Sequence, residues 1–335
     1  MIIDFKKELE KPEYNFLSEN KHLGKNVCLI GLGGSYAYGT NVETSDVDIR
    51  GVAINTKEEI LLGQDFEQVC NNVTDTTIYS FNKIIKLLTS CNPNVIELLG
   101  LKPEHYLYKN KIGELLVENR KLFLSKVAIQ SFGGYATAQF RKLDNKAGRL
   151  GDEHIQIQHI ANSMNNAKYA AQQLITPLKS GNHFDIFVND DTLFTDIDLE
   201  CYPLDDLLRL VTEVTNVKND YKRLGSRNSK VIEHDKIGKH MMHLFRILSM
   251  GIEILEDEEI NTYRQSDHDF LMSVRNNSML DNKGQPTSEF WEVLSDLEKR
   301  FDYAKKNTSL PDVPNIAKIN ELKMLVNEMI INGSI

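Results

Sequence analysis

The chain lacks any run of the roughly 18 apolar residues that a membrane-spanning helix requires. Its opening, MIIDFKKELEKPEYNFL, alternates charges too early for a secretory signal. These two absences predict a cytoplasmic protein with no membrane partner. Cysteine is scarce: Cys28, Cys70, Cys91 and Cys201 are scattered, with no C-x-x-C pair. That spacing argues against a zinc knuckle and a disulfide framework, and all four read as small core residues in a reducing compartment. There is no basic excess either. With 39 Lys and Arg against 48 Asp and Glu, the formal net charge is −9. Non-specific duplex binding draws on basic surface, so a nucleic-acid partner would need a local basic strip. No Gly-x-x-x-x-Gly-Lys-Ser/Thr occurs, which excludes a P-loop enzyme, and no Gly-x-Ser-x-Gly elbow occurs, which argues against a serine hydrolase.

What is present begins with length. A chain of 335 residues exceeds one minimal core and suggests about two domains. NVCLIGL reads as a buried strand, DVDIRGVAI as an alternating second strand, and Thr74–Phe81 as a third. Ile84, Ile85, Leu87 and Leu88 suit a helix, and NPNVIELLG resumes one after Pro93. From about residue 114 the pattern is helical: 114–135 onward, 155–174, 204–221, 236–255 and 288–306, interrupted by a hairpin over 183–194. The predicted fold is α+β, a small mixed sheet with helices over 1–125 followed by a mostly helical domain over 126–335.

The chemistry concentrates in GLGGSYAYGTNVETSDVDIRGV, residues 31–52. In a strand, residues two apart share a face, so Asp46 and Asp48 project together. Two adjacent carboxylates repel unless a cation sits between them, and hard divalent ions shared with substrate phosphates meet that need. Gly33 and Gly34 let backbone N–H groups approach an anion, and Ser35 adds a hydroxyl at a helix start. Together they predict a nucleoside triphosphate bridged to Asp46 and Asp48 by two ions, Mg²⁺ or Mn²⁺, with its phosphates against Gly34 and Ser35. A solvated Asp-x-Asp strand face is the plain alternative. A dinucleotide fingerprint fails on length, because only the eight residues YGTNVETS separate Ala37 from Asp46 and leave no room for a helix.

The stretch GGSYAYGTNVETSDVDIRGV resembles the signature of the DNA polymerase β-like nucleotidyltransferase superfamily, a Gly-Ser turn followed about ten residues later by Asp-x-Asp. Within it the chain looks most like the RlaP-like branch, named for RNA repair. NPNVIELL (92–99), GYATAQFRKL (134–143), KHMMHLFRIL (239–248) and FLMSVRNNSM (270–279) are similar to that branch's later blocks, so the likeness covers roughly residues 27–280. The resemblance implies transfer of a nucleoside monophosphate from an NTP to a hydroxyl with release of pyrophosphate, on an RNA or tRNA 3′ end. It also implies a third carboxylate on a neighbouring strand, for catalysis and metal binding. Asp75 is the best match, and Asp65 and Glu67 are nearby rivals. The same chemistry on a small molecule, a protein hydroxyl or another NTP is an alternative, as is a binding-only regulator. Possession of both aspartates and Ser35 speaks against the last.

On the helix near 236–255, Ile237, Met241, Leu244, Leu248 and Leu255 make a core face. Lys236, Lys239, His240, His243 and Arg246 follow helical steps on another side. Of these, Lys239, His243 and Arg246 are the candidates for holding nucleotide, as basic clamps do in phosphoryl transfer. A solvated basic face is the alternative. Arg141, Lys142, Lys146 and Arg149 form another local basic region, and Arg227 and Lys230 lie in a polar stretch. His154 and His159 are five apart and share no helix face as ligands would, and Asp267-His268-Asp269 lacks a second histidine at metal spacing.

Overall fold

A computed structural model describes residues 5–150, 153–172, 178, 181–189, 192–224 and 235–334. Five strands form one sheet: β1 (Val27–Leu32), β2 (Ile49–Ala53), β3 (Gln68–Asn71), β4 (Thr76–Ser80) and β5 (Tyr106–Lys109). Their order is β3-β4-β2-β1-β5. The sheet is mixed: β2 and β4 run parallel, and the other neighbours pair antiparallel. The pattern behind it is an aliphatic core, with Leu29, Ile49, Val52 and Ile78 fully buried.

Local signals set the helices that flank the sheet. Thr56 and Glu59 make a reciprocal capping box on the helix Lys57–Leu62. The Ser80 side chain accepts from the Lys83 N–H, so β4 turns directly into the helix Phe81–Thr89, which buries Ile84, Ile85 and Leu88. Asn92 caps a short helix that begins at Pro93, and Asn110 caps Lys111–Glu118 by accepting from Ile112 and Gly113.

The chain divides into two compact units. One comprises Met1–Gln139, Met242–Arg275 and Glu292–Ile335, and the other Phe140–Met241 and Asn276–Trp291. The α+β expectation holds, but these units are discontinuous and do not follow a single cut near residue 125. The reason is long-range packing: Thr262 donates to the Glu97 carbonyl at 2.6 Å and Lys126 N–H to the Pro311 carbonyl at 2.8 Å, which bring late segments back to the sheet-bearing unit. In the second unit β6 (His183–Asn189) and β7 (Thr192–Asp198) form the expected hairpin. Ile186 packs there with Ala167 of the helix Glu153–Gln172 and Val217 of Leu204–Leu224.

Two expectations are corrected. Helix does not run unbroken from 114: it stops at Glu118, passes through a tight turn at Arg120–Phe123, and restarts at Val127. The cysteines are not all core. Cys28 and Cys91 are buried, but Cys70 on the outermost strand β3 and Cys201 are exposed. Burial pushes the Cys28 thiol up to about 12, which keeps it inert.

Candidate active site

The glycine turn is built around Asp48. Leu32 ends β1, and the Gly33 N–H donates to the Asp48 carbonyl at 2.8 Å, pinning the turn to the segment that enters β2. Gly34 has φ +54° and starts the short helix Gly34–Tyr38. A Cβ at Gly34 would lie 1.8 Å from Asp48 Oδ2 and 2.6 Å from its Cγ, so only glycine admits the carboxylate here. Ser35 is half-buried one residue on, among the first N–H groups of a helix, which find no partner within it.

Asp46 and Asp48 precede the strand rather than lying in it, since β2 begins at Ile49 opposite Leu32 and Thr76. The loop before them is closed by Ser45, whose hydroxyl accepts from the Val42 N–H at 2.9 Å while its own N–H donates to the Val42 carbonyl at 2.9 Å. Asp46 is exposed, and Asp48 is 21% exposed. Asp75 sits one step before β4, at φ +41°, at the end of a turn in which Asn71 Oδ1 accepts from Val73 and Thr74. Extending the parallel register one step back from Ile49–Thr76 sets Asp75 beside Asp48. The residue that joins them is Arg50. Its Nη2 lies 3.5 Å from Asp48 Oδ1 and 3.3 Å from Asp75 Oδ1, and its Nη1 donates to the Asp75 carbonyl at 2.6 Å.

The rival acids are engaged elsewhere. Asp65 accepts from Asn55, Asn82 and its neighbour's N–H, and Glu67 pairs with Lys83. Among the described residues, no group of three His, Cys, Asp or Glu is gathered closely enough to hold a metal ion. Asp48 and Asp75 nevertheless both reach one cationic group, the Arg50 guanidinium, so this pair of carboxylates accommodates positive charge between its members.

The helix Asp235–Asp257 does not carry its basic residues as an open stripe. Arg246 is 1% exposed. Its guanidinium lies 3.5 Å over the Tyr38 ring, at the end of the helix that Gly34 begins, and Nη2 is 2.8 Å from His243 Nδ1. His243 is half-buried, edge-on to Tyr135. Lys239 is exposed and belongs to the second unit. Helical spacing alone does not report burial, and Tyr38, some two hundred positions away, draws Arg246 inward. Glu97, also buried, feels Arg246 electrostatically, yet burial dominates and pushes its carboxyl up to about 8. The Arg246 guanidinium is lowered to about 10 by the same cause and stays charged at neutral pH. Arg264, bidentate to Glu253 and paired with Asp267, donates its N–H to the Tyr38 carbonyl at 3.0 Å.

Of the other basic candidates, Arg141 pairs with Glu213 at 2.8 Å in the second unit. Arg227 and Lys230 lie outside the described residues, as do the side chains of Lys146, Arg149 and Lys236. His159 pairs with Asp144, and Asp267 is committed to Arg264, so neither joins a ligand set. Reading the sequence missed Arg50, Tyr38 and Glu97. Arg50 alone carried a signal, the two-residue alternation that puts it on the face of Asp48.

A mixed five-stranded sheet whose first strand ends in a glycine turn seated on an Asp-x-Asp segment is consistent with a polymerase β-like core. The family model RlaP, described as the RNA repair pathway DNA polymerase beta family, matches residues 8–164, so the likeness to that branch holds over that stretch. The chain is also 26% identical over 130 residues to an uncharacterized 38.9 kDa protein of the nrdC–mobD intergenic region of Enterobacteria phage T4. That alignment covers 35% of this chain and 38% of the phage protein, well under two thirds of the relative's length. No solved structure matches the chain. Among the described residues, no helix is long and apolar enough to cross a membrane.

Proposed function

We propose that the protein is a divalent-metal-dependent nucleotidyltransferase that moves a nucleoside monophosphate from an NTP to a hydroxyl on an RNA or tRNA 3′ end. The observation that carries the reading is the Asp48 carboxylate seated on Gly34 and linked through Arg50 to Asp75. It sets a carboxylate pair against a turn suited to phosphate.

In this reading Asp46, Asp48 and Asp75 hold Mg²⁺ or Mn²⁺. When bound, such ions neutralise charge on the triphosphate and lower the pKa of the attacking hydroxyl. The chain's own contribution is placement. N–H groups at Gly34 and Ser35 and the Ser35 hydroxyl bind phosphate oxygens, as helix starts do. Asp75, exposed at 60%, is open to take the proton of the acceptor hydroxyl. Arg246 and His243 act by supporting Tyr38 and so the short helix, while Lys239, on the helix Asp235–Asp257, is the basic candidate exposed to solvent. The RNA acceptor rests on the description of the matched family. The net charge of −9 confines its binding to a local basic region.

The test is incubation with each α-labelled NTP and Mg²⁺ or Mn²⁺, with and without total tRNA, followed by separation of products. Label on RNA supports the reading and names the nucleotide. Label confined to short oligonucleotides or to protein keeps the chemistry and replaces the acceptor. No label in any fraction, together with no metal-dependent NTP binding, overturns it.

A further inference from the structure

Arg50 touches the carboxylates of both Asp48 and Asp75, and it does so from within the chain's own motif. Its contacts are unequal. Nη1 donates to the backbone carbonyls of Asp75 and Ile49 at 2.6 and 2.9 Å, whereas Nη2 stands at 3.3 and 3.5 Å from the carboxylates of Asp75 and Asp48. The last two distances are at the limit of hydrogen bonding, so the guanidinium balances the acids without gripping them. The side chain is 22% exposed, and neither acid is sealed from water. Its stem lies against the glycine turn itself: a Cβ at Gly33 would be 3.1 Å from Arg50 Cγ. The Arg50 side chain therefore borders the glycine turn with its stem and the two carboxylates with its fork.

We propose that Arg50 is an internal counter-ion that couples metal binding to nucleotide binding, a role that rests on the reading of this site as an NTP site. Without nucleotide, the guanidinium occupies the space between Asp48 and Asp75 and competes with a divalent cation for them. A triphosphate offers the planar fork a better partner than two carboxylates held at 3.3 and 3.5 Å. Drawn onto the phosphates, Arg50 releases both acids to the metal, and its charge then serves the triphosphate. Coupling of this kind is reciprocal, so the metal raises nucleotide affinity by the factor by which nucleotide raises metal affinity. The protein thereby holds little metal until substrate arrives.

The experiment is a Mn²⁺ titration followed by electron paramagnetic resonance, on wild type, Arg50→Gln and Arg50→Lys, with and without a non-transferable α,β-methylene NTP. Circular dichroism confirms that each variant is folded. In the absence of nucleotide, Arg50→Gln is expected to bind Mn²⁺ about ten-fold more tightly than wild type. Arg50→Lys, which keeps charge and loses the fork, falls between them, and supplies the answer if Arg50→Gln does not fold. The gain in Mn²⁺ affinity on adding nucleotide is expected to be largest in wild type. Equal nucleotide-free affinities in folded wild type and variants overturn the counter-ion role while leaving the metal site in place. Failure of every protein to bind Mn²⁺, even with nucleotide, overturns the metal-site reading and the coupling with it.

Discussion

Alanine at position 34 puts a methyl group where Asp48 already stands. Its cost has two parts that a second variant separates. Gly34 has φ +54°, and an L-residue held in that region costs about 1–2 kcal/mol. Gly63, at φ +65° on the end of the helix Lys57–Leu62, has the same backbone demand with nothing within 4 Å of an added Cβ. Gly63→Ala therefore measures the backbone part alone. At Gly34 the new Cβ would fall 1.8 Å from Asp48 Oδ2, a distance that no relaxation of the methyl can relieve, so the carboxylate must leave its place. Its contact with Arg50 goes with it, for a total cost of roughly 2–4 kcal/mol. A reacting group displaced by about 1 Å loses on the order of 100-fold in rate. Urea denaturation and pyrophosphate release from NTP are measured on both variants. Gly63→Ala should lose about 1–2 kcal/mol and keep its transfer rate. Gly34→Ala should lose more stability and at least about 100-fold in transfer. Wild-type transfer by Gly34→Ala would refute the argument that Asp48 acts from its seat on the glycine turn.

Glu97 gives the protein a pH-dependent stability of defined sign. Its carboxyl titrates near 8 when folded, against an ordinary value of 4.5, so the folded state keeps a proton that the unfolded chain has released. Stability then falls as pH rises from about 4.5 to about 8, by on the order of 1 kcal/mol per unit, and levels off above. Glu97→Gln should flatten that slope in urea melts taken across the window, and an unchanged slope would show that other groups produce it. Arg246→Ala should destabilise by about 2 kcal/mol through loss of the desolvated cation–π contact on Tyr38. Lys239→Ala, at an exposed position, should leave the melt unmoved and weaken substrate use. Equal melts for these two would contradict the burial assigned to Arg246. Thr56→Ala removes the capping box at Lys57 and should cost about 1 kcal/mol by the same assay, with no change in transfer.

Local chemistry was the readable part of the sequence. The run Val27–Leu32 is buried throughout and announced itself as a strand, and the hairpin expected over 183–194 forms and extends to Asp198. The strands β3 and β5 went unseen because four residues such as Gln68–Asn71 carry too short a pattern, and their place at the sheet edges relaxes the demand for apolar residues. DVDIRGVAI alternates from its first residue, yet pairing starts only at Ile49, because Leu32 is the last residue of β1 available as partner. The Asp-x-Asp spacing is plain in the sequence, but both aspartates precede β2, and the link of Asp48 to Asp75 through Arg50 depends on a parallel pairing 25 residues later. The burial of Arg246 depends on Tyr38 in the same way. Contacts made across such distances in sequence leave no periodicity to read.

The central claim is that Asp46 and Asp48 support nucleotidyl transfer from an NTP. Pyrophosphate release from NTP, measured with tRNA and with Mg²⁺ or Mn²⁺ on wild type and on the Asp46→Asn, Asp48→Asn double variant, tests it most directly. The account predicts metal-dependent release by wild type and background release by a folded double variant. Release by that variant at the wild-type rate would contradict it.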